Sequence, residues 1–194
     1  MGSALESFRD ATKAVHSDVE HTATMARMMS APADRTAYAD YLKAIALAIG
    51  PLSLDASKVC LADAAPFRPN PEDWMALEDD LCELGVALPS TFAPPPIVRP
   101  EDEIWGRLYV VHGAGAGLAM LDALIKKQPS GAALPKRFLA TARERRPQWP
   151  ALCQAIDQLE GERLRLATLA AQKDFAYALD AILAFEASGT GQGA

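Results

Sequence analysis

The chain has three histidines, at positions 16, 21 and 112, and these are its best-equipped side chains for proton or metal chemistry. His16 lies in the stretch RDATKAVHSDVEHTATM. There Leu5, Phe8, Thr12, Val15 and Val19 recur at steps of three and four, the spacing of one apolar helix stripe. His16 falls at the margin of that stripe, and Arg9 and Glu20 fall in a narrow arc beside it. That places an imidazole, a guanidinium and a carboxylate on one side of one helix, and the histidine of such a group could serve as a ligand. The same pattern also suits an ordinary half-buried histidine, and the residues alone leave both open.

A second group offers geometry rather than reactivity. Residues 112–118 read His-Gly-Ala-Gly-Ala-Gly-Leu inside an apolar helical stretch. Three glycines in a helix cost roughly 3 kcal/mol relative to alanine. Gly106, Gly113 and Gly117 fall close to one face, and Gly115 lies opposite. Such a face lets another body approach the backbone closely, either a neighbouring helix or a flat ligand. A phosphate loop is excluded by context, because no strand precedes the run and no Gly-Lys-Ser/Thr follows it.

The bulk properties narrow the class. A length of 194 residues fits one domain, and 50% hydrophobic residues suffice for a sizeable core. The net charge of −6 and pI of about 5.1 argue against a nucleic-acid binder, which would show a basic face. Cys60, Cys82 and Cys153 are odd in number and form no CxxC pair, so they point to small buried residues rather than a zinc or disulfide site. The polar N-terminus does not resemble a secretory signal, and no apolar run is expected to reach the ~20 residues of a membrane span. A cytoplasmic protein without membrane attachment is expected.

Periodicity is helical nearly everywhere, and alternating strand patterns are absent. A first helix is expected over roughly residues 4–28 and a second after a cap at Asp34. Pro51 should bend the second helix rather than finish it. A third follows Asn70 and Pro71, as a cap and a first-turn proline. The proline-rich stretch ALPSTFAPPPIVRPED is expected to pack extended along the surface. A fourth helix covers about residues 101–127, and two short helices and a long one follow. The sum is one all-α domain of about seven helices over residues 1–186, with a disordered tail at 187–194.

The run from Phe8 to His16, with Glu20 and Met25 after it, resembles the proximal helix of the haem oxygenases. The segment from Leu108 to Leu118 is similar to the distal helix of the bacterial, phytochrome-associated branch of that family. A later tryptophan helix with Trp149 and a long final helix with Phe175 and Phe185 extend the likeness over nearly the whole chain. The resemblance implies a single-domain, multi-helix haem oxygenase-like bundle. It implies His16 as the axial iron ligand, Arg9 as a propionate partner and Glu20 beside the histidine. Thr12, Met25 and Tyr109 would lie near the haem, and Gly113 and Gly117 would cover its distal face. Haem would be substrate and cofactor, cleaved with dioxygen to biliverdin, carbon monoxide and iron. The electron donor would be external, of the ferredoxin or reductase type, and a bilin-binding photoreceptor is a further implied partner.

The chain departs from that pattern on the distal helix. Leu118 stands where the family has its second glycine, and is expected to narrow the space over the haem. Ala114 replaces a polar residue, and His112 replaces a glutamate. The family's basic residues on the penultimate helix are missing, with Arg145 and Arg146 just before it as substitutes. These departures keep a second reading open: a non-catalytic haem- or bilin-binding protein, or an interaction module, on the same fold.

Overall fold

The computed structural model describes residues 3–30, 34–58, 61–88, 93–97 and 102–189. Within them the chain is all-α, with eight helices and no strand. They are α1 (Ala4–Glu20), α2 (Ala23–Ser30), α3 (Arg35–Ser57), α4 (Glu72–Leu84), α5 (Ile104–Ile125), α6 (Arg137–Arg145), α7 (Gln148–Asp157) and α8 (Gly161–Ala187). The proposed tail at 187–194 falls largely outside the described residues; α8 reaches Ala187. Cys60 also lies outside them.

Local chemistry sets the helix starts. Ser3 and Glu6 cap α1 reciprocally: Glu6 N donates to Ser3 Oγ at 3.2 Å, and Ser3 N donates to Glu6 Oε2 at 2.8 Å. Asp34 Oδ1 accepts from Ala37 N at 2.6 Å at the head of α3. Asn70 Oδ1 accepts from Glu72 N at 3.1 Å before α4. The α3 helix runs through Pro51 to Ser57.

One expected helix is two. The stretch of roughly residues 4–28 breaks after Glu20, where the Thr22 hydroxyl donates back to Val19 O at 2.9 Å. The α2 helix then begins with Thr24 N donating to Glu186 Oε1 of α8 at 2.6 Å. A carboxylate from the far end of the chain thus caps it, which no local pattern reveals.

The core helix is α5, packed against α3, α6, α7 and α8, while α1 packs on α8. Because it packs on four neighbours, α5 is apolar over most of its surface rather than striped. At 22 residues it corrects the expectation that no apolar run reaches spanning length. It is the one described helix long and apolar enough to cross a membrane by length and composition, and half of its apolar window is buried within the bundle. At its first turns Gly106 lies so close to α8 that a Cβ there would sit 2.1 Å from Ala167 O. Next to it, fully buried Arg107 pairs with Asp174 of α8, Nε to Oδ2 at 2.9 Å and Nη2 to Oδ1 at 2.7 Å, and with Asp55 of α3. Arg107 also donates to the Pro96 carbonyl, while Tyr177 Oη donates to Ala93 O at 2.7 Å. These two bonds pin the extended proline segment 93–97 to the bundle.

Candidate functional site between α1 and α5

The α1 and α5 helices both pack on α8, and a cavity of ≈470 Å³ lies between them. His16, Glu20 and Met25 line it from the α1–α2 side, and Tyr109, Gly113 and Gly117 from α5. Its size falls in the range of small-molecule sites. The His16 side chain is 50% exposed, its ring stands edge-on to Phe175 with centroids 5.3 Å apart, and its Nδ1 lies 3.7 Å from Glu20 Oε2. His16 Nε2 has no hydrogen-bond partner among the described residues.

The glycines divide into two uses. Gly106 serves helix packing, as described. At Gly113 a Cβ would meet only the Trp149 ring, at 3.6 Å, and at Gly117 it would meet nothing within 4 Å. No protein atom takes up the space that the missing side chains leave at Gly117, so its cost in helix stability is not offset by packing. A single face of one helix therefore meets α8 at one level and the cavity further along.

Two of the expected site residues do not line the cavity. Thr12 is buried and its hydroxyl donates to Phe8 O at 3.0 Å. The Arg9 guanidinium lies against the Tyr109 hydroxyl and the Cys153 thiol. Burial pushes both the phenol and the thiol up in pKa, and the nearby Arg9 charge opposes it. Arg9 thus stands beside a cavity-lining phenol. Reaching a ligand carboxylate at the cavity edge would require it to leave these partners or to share them.

The distal departures are also placed differently. Leu118 is buried and lines a smaller cavity of ≈70 Å³ beyond α5, so it does not narrow the space between α1 and α5. A one-residue step along the helix turns its side chain about 100° from that of Gly117. Arg145 and Arg146 line the same small cavity, and Arg145 Nε pairs with Asp73 Oδ2 at 2.9 Å. They are not substitutes for cations at the main cavity, whose lining holds no lysine or arginine. His112 donates from Nε2 to Phe67 O at 2.8 Å, and burial holds its pKa below the ordinary imidazole value. It serves as a buried anchor for the 65–67 turn. Cys153 is buried as expected, whereas Cys82 is exposed.

Sequence patterning missed His21, Tyr41 and Trp149 as cavity residues. His21 was within reach of a longer reading of the His16 motif; Tyr41 sits in a helix apolar on most sides and carries no local signal. Comparison with known protein families, curated proteins and solved structures finds no match.

Proposed function

We propose that the chain is a haem oxygenase-type protein that takes haem between α1 and α5 and opens it to biliverdin, carbon monoxide and iron. The observation that carries this reading is the shared cavity: His16 lines one wall, and Gly113 and Gly117 line the other, with nothing within 4 Å of the space a side chain at Gly117 would take. A histidine wall facing a glycine wall suits a planar ligand, and imidazole is a common haem ligand. In this reading Glu20 orients the imidazole through Nδ1, Phe175 fixes the ring edge-on, and Tyr109 with Arg9 behind it marks the end for the propionates. Haem itself carries the iron and dioxygen chemistry, and the protein contributes orientation, access and exclusion of water. An external donor of the ferredoxin or reductase type supplies electrons, a bilin-binding photoreceptor receives the product, and the setting is the bacterial cytoplasm.

One observation favours a second reading. Apart from Tyr109 at one end, the α5 wall presents Val110, Gly113, Ala114, Gly117 and Met120, none with a hydroxyl or a carboxylate. A wall with that single proton donor suits a non-catalytic haem or bilin binder. Titrating the purified protein with haem and then adding ascorbate in air separates the two. Bilin absorption after a Soret shift supports the enzyme; a lasting Soret band supports the haem binder; no Soret shift removes both of these and leaves a binder of bilin alone, which a biliverdin titration tests. His16→Ala should abolish the histidine-ligated spectrum, and an identical spectrum in the variant would assign the iron to another ligand.

A further inference from the structure

Tyr41 is 93% buried, lines the cavity from α3, and its hydroxyl has no hydrogen-bond partner among the described residues. Nor is that oxygen sealed by protein, as the Tyr38 hydroxyl is. An oxygen open to the cavity can be met by water, and a ligand that displaces that water loses affinity unless it accepts the hydrogen bond itself. Here the open side is the cavity. Burial raises the pKa of the phenol, so it stays protonated and remains a donor.

The position of Tyr41 along the cavity follows from two contacts. Asp55, near the C-terminal end of α3, meets Arg107 at the start of α5. Tyr38, near the N-terminal end of α3, feels the charge of Asp122 near the end of α5. The two helices are therefore antiparallel, and Tyr41 belongs at the Met120 end of the cavity. Tyr109 lies at the other, about 16 Å away by helix rise. The cavity thus has one phenol backed by a guanidinium and, at the far end, a second phenol with no charge beside it in its hydrogen bonding.

Those two ends do not suit the closed macrocycle equally. Haem carries its two carboxylates on one edge and only hydrocarbon groups on the opposite one. With the carboxylates toward Tyr109 and Arg9, the hydrocarbon edge would face Tyr41 and leave its donor unmatched. A tetrapyrrole opened at the meso carbon opposite the carboxylates differs there, because its terminal rings then end at that edge in lactam carbonyl oxygens, which accept hydrogen bonds.

We infer that Tyr41 donates a hydrogen bond to a terminal lactam carbonyl of a linear tetrapyrrole, so that the cavity holds the opened bilin more specifically than it holds haem. This rests on the haem reading above and adds to it a ligand class and a specificity-determining residue. It bears equally on an enzyme that retains its product and on a bilin carrier.

The test is paired absorbance titrations of wild type and Tyr41→Phe with haem and with biliverdin, plus melting of both ligand-free proteins. Tyr41→Phe should weaken biliverdin binding about tenfold and leave haem binding within about twofold, the size of one hydrogen bond lost. Its ligand-free melting temperature should be unchanged, since the hydroxyl bonds no described protein group and the variant keeps the ring. Equal biliverdin affinity in the two proteins overturns this inference alone. Equal weakening of both ligands, or a lower melting temperature, reassigns Tyr41 to structure and overturns it as well. Failure of wild type to bind either ligand overturns the haem reading and this inference together.

Discussion

His112 gives its Nε2 proton to the Phe67 carbonyl inside the bundle, and desolvation keeps its pKa below 6.5. The unfolded chain, with an ordinary imidazole, takes up a proton first as the pH falls. Stability from this residue is therefore fully present above about pH 6.5 and lost progressively below it, toward the lower folded value. Urea unfolding between pH 5 and 7.5 should show that acid slope, and His112→Gln should flatten it. A slope that survives the substitution would place its origin elsewhere. The contrast with His16 is instructive. Both histidines lie on helices, but His112 spends its ring on the protein, whereas His16 is half exposed and lines the cavity.

Among the elements, α5 carries glycines that look alike in sequence and differ in consequence. Gly106→Ala would force a Cβ to 2.1 Å from Ala167 O, so α5 and α8 must separate. That should cost ~1–3 kcal/mol and lower the melting temperature by several degrees. Gly117→Ala meets no atom within 4 Å, so it should gain up to about 1 kcal/mol of helix propensity and raise the melting temperature by roughly 2–4 °C. If the cavity takes a flat ligand, the same Gly117→Ala protein should bind haem more weakly. A stabilised protein with undiminished haem affinity would show that the Gly117 face is not part of the binding site. Scanning calorimetry and a haem titration on the same samples decide both points.

The molecule as a whole turns on the buried Arg107. Its guanidinium ties α5 to α8 through Asp174, to α3 through Asp55, and to segment 93–97 through the Pro96 carbonyl. Asp174 is itself fully buried. Asp174→Ala should leave a buried cation short of its partner and cost ~3–5 kcal/mol, visible as a fall of roughly 10 °C in melting temperature. Replacing Arg107 and Asp174 together by Met and Leu should recover most of that loss. A single Asp174→Ala variant as stable as wild type would show that Asp55 and water suffice to satisfy the cation. Because Arg107 sits one residue from Gly106, the same junction also sets how α5 leaves α8 and leaves room beside α1.

The amino-acid sequence by itself determined the helical class, the cap at Asp34, the run of α3 through Pro51, and the grouping of His16 and Glu20 on one arc. These depend on spacing and on side chains acting within a turn or two, and such information is local. It also marked Gly113 and Gly117 as sharing a face. Only the tertiary structure decided what that face meets, since Gly106 shares it and yet packs on α8. The same holds for Arg9, which the helix arc puts beside His16 but which Tyr109 and Cys153, from α5 and α7, engage. It holds for Leu118, turned by one helical step into another cavity, and for Glu186, which caps α2 from the end of α8. Tyr41 is the clearest case. Nothing near it in sequence distinguishes it from the buried Tyr38, and only the packing of the helices seals the Tyr38 hydroxyl and places Tyr41 on the cavity.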